Sequence, residues 1–179
     1  VEGGIGWLVF DHPQRRNAIS VEMWEQLPKA AVRLEEDPAV RVVVLRGAGE
    51  EAFVSGADIS EFAEQRTGEA AARYESRNAQ AFLAVARIQK PVLAMIHGYC
   101  IGGGVAMSLT ADIRYASEEA VFAIPAARLG IGYAVGGLEV LLLEDCDAAH
   151  CRGSGPSIAG CLELPAGDYV RSEEHTSEL

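Results

Sequence analysis

Two glycine-bearing segments, FVSGADIS (53–60) and HGYCIGGGVAM (97–107), carry the residues of this chain best suited to chemistry. Each reads as a turn where a strand gives way to a helix and main-chain N–H groups are left exposed. Two such groups aimed at one point hold an oxygen that becomes negative during reaction. One preorganised donor of this kind is worth roughly 2.7–4 kcal/mol in a transition state. A thioester carbonyl is such an oxygen, because it takes up charge when an enolate forms beside it. Gly102, Gly103 and Gly104 let the backbone approach closely, since no Cβ intervenes, and a helix opening at Gly103 adds its positive end. A glycine cluster alone is more often a tight packing junction. The SGAD partner turns the reading towards chemistry, because the two motifs together meet the geometric requirement.

Other reactive side chains have blander readings. Asp58 follows the first turn and is expected to cap or to accept a local N–H. His97 is expected to be a turn-stabilising donor, and Glu61, Glu64 and Glu139 solvated or pairing residues. Cys146, His150, Cys151 and Cys161 do not have the paired spacing of a zinc site, so no metal is expected.

The elements that must position the turns follow from periodicity. Ile5 to Phe10 alternates as a strand. Ser20 caps a helix to about Glu36 with Glu22 in its first turn, and Pro28 predicts a kink or a break in it. Val40 to Leu45 is a nearly continuous apolar run, as in a strand covered on both faces. Phe53-Val54 is a short strand. Residues 69–88 form the strongest helix, with Phe82, Leu83, Val85, Ala86 and Ile88 as its apolar stripe. Then come a strand at Val92–Ile96, a helix from about Gly103 to Ala111, and a strand at Ile113–Ala116. Alternation of strands and helices implies α/β with right-handed crossovers.

The chain has 179 residues, 49% hydrophobic and 23% charged, which suits one globular domain. A formal net charge of −11 argues against nucleic-acid or membrane-surface binding. It does not exclude an anionic ligand, since local N–H groups and a few arginines override the global sign. The uncharged stretch 91–111 has the roughly 20-residue length of a membrane span, but Pro91, His97 and its glycines break it into strand, turn and short helix. Four irregularly spaced cysteines make no disulfide framework, and the expected setting is reducing and cytoplasmic.

Order holds to about Leu143. Residues 144–170 lose helical and strand periodicity and are expected to be frameshifted or non-native. RSEEHTSEL (171–179) translates the start of a sequencing-library adapter, so it too is set aside from fold reasoning.

The stretches IGWLVFDHPQRRNAIS (5–20), VRVVVLRGAGEEAFVSGADISEF (40–62), PVLAMIHGYCIGGGVAMSLTADIRYAS (91–117) and FAIPAARLGIGYAVGG (122–137) together resemble the crotonase, or enoyl-CoA hydratase/isomerase, superfamily. They fall in the right order and spacing over 5–143. The resemblance implies a crotonase-like core of repeated ββα units, here over 1–143 with its C-terminal helical region missing. It implies acyl-CoA thioesters as ligands, coenzyme A being part of the substrate rather than a separate cofactor. It further implies trimers or paired trimers. Carried over by position, the N–H groups of Ala57 and Gly103 form the oxyanion hole. Ser55, Gly56, Ala57 and Asp58 belong to the segment that meets the coenzyme A, and Gly102 and Gly104 flank Gly103. Arg15 and Arg16 stand where basic residues meet its phosphates.

The pattern also departs from the family. Hydratases use two glutamates around a water molecule; those places hold Ala106 and Ala126. General acid–base groups contribute about 10²–10⁴ in rate, so hydration and simple double-bond migration are both in doubt. Tyr133, in LGIGY, stands where decarboxylating relatives place a tyrosine. Decarboxylation needs enolate stabilisation but little general base. The readings left open are an enolate-forming acyl-CoA enzyme, a Tyr133-assisted decarboxylase, and a coenzyme A thioester binder without efficient turnover.

Overall fold

The computed structural model describes residues 1–61 and 68–125. Seven strands and three helices follow one another as β1 (Ile5–Phe10), α1 (Val21–Glu36), β2 (Val42–Gly47), β3 (Ala52–Val54), α2 (Gly68–Ala86), β4 (Val92–Ile96), β5 (Tyr99–Ile101), α3 (Gly103–Leu109), β6 (Ile113–Ala116) and β7 (Val121–Ala123). The strands form two parallel sheets, one ordered β1-β2-β4-β6 and the other β3-β5-β7.

From β2 onward the chain repeats one step: a strand in the first sheet, a tight corner, a strand in the second. Helices α2 and α3 carry it to the next layer. Register makes the repeat visible, since Leu45 pairs with Ala94 and Ala94 with Arg114 in the first sheet. In the second, Val54 pairs with Cys100 and Cys100 with Phe122. The corners stack as well: Phe53 N donates to His97 O at 2.8 Å, Val121 N to Gly98 O at 2.9 Å, and Ser117 N to Ile96 O at 2.9 Å. This is the expected ββα core.

Burial explains the strand sequences. In β1 Leu8 and Phe10 face inward, while Trp7 and Val9 face out. In β2 Val43, Val44 and Leu45 are all buried, as a strand covered on both faces requires. The second sheet begins with Ala52, Phe53 and Val54, none of which reaches solvent.

Four expectations need correction. Of the kink or break expected at Pro28, the break does not occur, for α1 runs unbroken from Val21 to Glu36. One missing N–H is outweighed by the face of Trp24, Leu27 and Ala31 that the helix buries. The strand expected from Val40 begins at Val42. In α2, Leu83 and Ala86 face out; Tyr74, Ala81 and Val85, with Ile88 just beyond, form the inward seam. Their spacing of four, three and seven residues follows the helical period, whereas consecutive apolar residues cannot share one face. Finally, Tyr99–Ile101, expected to be part of a turn, is strand β5, and Val121–Ala123, for which no element was expected, is strand β7. These three-residue strands are too short for a periodic signal, and only stacking on β3 makes them strands. The stretch 91–111 is accordingly two strands and a short helix, and among the described residues no helix is long and apolar enough to cross a membrane.

Candidate active site

The repeat delivers the two glycine segments to neighbouring places. Because Val54 and Cys100 are paired in register, the residues that leave β3 and β5 emerge side by side. After β3 come Ser55-Gly56-Ala57-Asp58; after β5 come Gly102 and Gly103. A methyl group placed on Gly103 would lie 3.7 Å from the Ala57 nitrogen and 3.8 Å from the Gly56 carbonyl carbon. Among the described residues neither the Ala57 N–H nor the Gly103 N–H donates a hydrogen bond. Gly103 is the first residue of α3, a position whose N–H has no partner within its helix. After Ala57 the described chain makes a 3₁₀ turn, Ile59–Glu61.

Two glycines make this juncture possible. A Cβ on Gly104 would run into the Val54 carbonyl oxygen, so only glycine lets α3 start against β3. Gly56 has φ +110°, a region closed to other residues, and it turns the chain so that Ala57 faces Gly103.

The loop after β1 braces the first segment. Ser55 N donates to Arg16 O at 3.1 Å, Ile19 N to Gly56 O at 2.8 Å, and Asp58 N to Ile19 O at 3.0 Å. The Ser55 hydroxyl donates to Arg15 O at 3.0 Å. At the centre of the loop is Asn17, 1% exposed and at φ +57°. Its Nδ2 donates to Ala48 O at 2.9 Å and Ala52 O at 2.7 Å, and its Oδ1 accepts from His12 N at 3.0 Å. Sequence reasoning passed over Asn17. The available signal was an asparagine beside a turn, the residue type that tolerates a left-handed backbone while bonding to nearby main chain.

The expected site residues thus fall into two groups. Arg15, Arg16, Ser55, Gly56, Ala57, Asp58, Gly102, Gly103 and Gly104 gather around this juncture. Tyr133 and Ala126 lie outside the described residues, as do Glu64, Glu139, the cysteine and histidine set of 146–161, and the whole of 144–179. Ala106 lies in α3, its N–H on Gly102 O at 3.1 Å. Among the described residues no three His, Cys, Asp or Glu side chains gather as a metal site.

Arg16 is exposed, but its guanidinium is engaged. Nε donates to Glu51 Oε1 at 2.6 Å, and the group lies 4.9 Å from the centre of the Tyr99 ring. The bond from Glu51 and its charge hold the arginine pKa above its ordinary value. Asp58 is buried, and its Oδ1 accepts from Ser60 N at 2.9 Å and Ser60 Oγ at 2.6 Å, the local contact expected of it. Burial pushes its pKa up, but the Ser60 donors and the Arg15 and His12 charges outweigh it, leaving the carboxylate below its usual range. Glu61 Oε2 accepts from Val21 N at 2.8 Å and so caps α1. His97 does not stabilise its turn through Nε2, which is buried without a partner; its main-chain oxygen does that work. A groove of about 350 Å³ between β1 and α1 is lined by Leu8, Phe10 and Leu27 among others, and by none of the expected site residues. It is a gap beside the edge strand β1.

The chain is similar to known proteins. The family model for enoyl-CoA hydratase/isomerase matches residues 1–144. A peroxisomal Delta(3,5)-Delta(2,4)-dienoyl-CoA isomerase of Arabidopsis thaliana is 35% identical over 145 residues, covering 75% of this chain and 52% of the relative. A short-chain-enoyl-CoA hydratase of Clostridium acetobutylicum is 34% identical over 140 residues, covering 78% and 53%. The crystal structure of an enoyl-CoA hydratase/carnithine racemase from Magnetospirillum magneticum superposes with a TM-score of 0.78 at 34% identity, over 80% of this chain and 54% of that one. The chain therefore spans about half the length of the relatives it matches.

Proposed function

Since this chain belongs to the enoyl-CoA hydratase/isomerase family of the crotonase superfamily, we propose that it processes an acyl-CoA thioester, whose carbonyl oxygen the N–H groups of Ala57 and Gly103 receive. The observation carrying this reading is the 3.7 Å approach of the Gly103 methyl position to the Ala57 nitrogen, with both N–H groups unused among the described residues. When a bond to the carbon beside the thioester breaks, its electron pair moves into the carbonyl and the oxygen becomes an enolate. Two fixed donors stabilise that charge without reorganising. The loop 53–58, braced by 12–19, holds the coenzyme A segment. Arg15 and Arg16 stand beside it for the phosphates, Arg16 exchanging part of its contact with Glu51.

A second reading is favoured by Ala106 and Ala126, which carry no carboxylate where hydratases have one. Decarboxylation meets that restriction. The C–CO₂⁻ bond supplies the electron pair, carbon dioxide leaves, and a solvent proton later quenches the enolate carbon. Tyr133 is the residue proposed to orient the departing carboxylate. In the limit the chain binds a thioester without turning it over.

A panel of crotonyl-CoA hydration and malonyl-CoA decarboxylation, with Gly103→Pro in parallel, tests these readings. Hydration or decarboxylation lost in the variant supports the enolate site. Binding of both thioesters with no turnover in either assay selects the third reading. Turnover indifferent to the substitution refutes the site.

A further inference from the structure

Trp24 in α1 is 1% exposed, and its Cη2 lies 3.8 Å from the methyl position of Gly103, about as close as the Ala57 nitrogen at 3.7 Å. The indole is backed by Phe82 of α2, the two rings meeting edge to face at 5.2 Å and 66°. Its Nε1 is buried with no hydrogen-bond partner, so packing alone sets the position of the ring. An acyl group whose carbonyl oxygen rests on the Ala57 and Gly103 amides must place its first carbons within a few ångströms of Gly103. A rigid ring pinned between two helices stands at that distance and cannot swing away without displacing Phe82.

Resting on the acyl-CoA reading above, we propose that Trp24 is a specificity-determining residue: its indole closes the acyl subsite and disfavours long acyl groups. Its effect is steric. A hydrophobic wall discriminates a substrate by about 10–200-fold per surplus methylene it cannot accommodate.

The chain has two tryptophans, and the other, Trp7, lies on the outer face of β1. In a Trp7→Phe version of this 179-residue chain, Trp24 is therefore the sole tryptophan reporter. Titration with free coenzyme A, acetyl-CoA, butyryl-CoA and octanoyl-CoA should change its emission with acetyl-CoA and butyryl-CoA but not with free coenzyme A. Octanoyl-CoA should bind at least tenfold more weakly than butyryl-CoA. Adding Trp24→Leu, followed by isothermal calorimetry, should bring octanoyl-CoA at least tenfold closer to butyryl-CoA. Equal affinity for butyryl-CoA and octanoyl-CoA in the Trp24 protein overturns the proposal, as does an emission response identical for free coenzyme A and butyryl-CoA. Both outcomes are read without the leucine variant, so the test survives its misfolding. An unchanged length ratio in a folded leucine variant also overturns it. Failure to bind any thioester is a different result, which refutes the acyl-CoA reading and the wall together.

Discussion

Replacing Gly103 with proline deletes one N–H of the proposed oxyanion pair. Proline is tolerated at the first position of a helix, where its missing donor costs the helix nothing, and Gly103 holds that position in α3. The nearest neighbours of a Cβ there are Ala57 N at 3.7 Å, with the Gly56 carbon and Trp24 Cη2 at 3.8 Å, all ordinary contacts. The restriction that proline places on its predecessor is relaxed because Gly102 has no Cβ. The Cβ is thus accommodated, and the remaining ring atoms should lower fold stability by no more than about 1–3 kcal/mol, the cost of an overpacked site. The enolate should lose one donor, roughly 2.7–4 kcal/mol, or about 10²–10³ in rate. Steady-state kcat/KM on whichever thioester turns over measures this, with a urea titration as the folding control. Gly103→Ala retains the N–H and should lose at least tenfold less than the proline variant. If neither thioester turns over, the absorbance of a conjugated dienoyl-CoA replaces the rate, since hydrogen bonds to its carbonyl shift that band to the red on binding. A folded proline variant whose rate stays within threefold of the parent, or whose spectral shift is unchanged, refutes the reasoning.

Gly104→Ala should destabilise the chain by about 1–3 kcal/mol, because the new methyl meets the Val54 carbonyl oxygen, a main-chain atom that cannot turn aside; an unchanged urea midpoint would count against that packing. Asn17→Ala strips partners from Ala48 O, Ala52 O and His12 N. At about 1–3 kcal/mol for a buried group left unsatisfied, the loss should reach about 3 kcal/mol in chemical denaturation, and a loss under about 1 kcal/mol would show that water serves those groups. Asp58 predicts a pH signature. Its folded pKa lies below the ordinary 3.8, so the native state binds fewer protons than the unfolded chain and stability rises with pH in that range. The advantage of the parent over Asp58→Asn should be full above pH 3.8 and close as pH falls through the lower folded value; a gap independent of pH in acid melts would exclude the carboxylate as its source.

Much of this was legible in the chain. The termini of β4 and β6 follow from their apolar runs, and Ser20 caps α1 as its position demands, accepting from Met23 N at 3.3 Å. The two glycine turns were legible as a pair, whereas Arg15, Arg16 and the coenzyme A segment followed from the resemblance to the family. Less accessible were features whose cause is remote in sequence. Tyr99–Ile101 and Val121–Ala123 become strands only by stacking on Ala52–Val54. Arg16 reads as a free cation until Glu51 and Tyr99 arrive beside it. Asn17 and Trp24 look like a loop polar residue and a core aromatic.

Local chemistry, then, decided the longer elements and the cap of α1, since propensity, periodicity and side-chain volume act over a few residues. Tertiary structure decided the meeting of Ala57 with Gly103 and the placing of Trp24 against them. That meeting requires β3 and β5 to pair in register after a crossover through α2, and a contact between distant segments depends on the packing of everything that joins them.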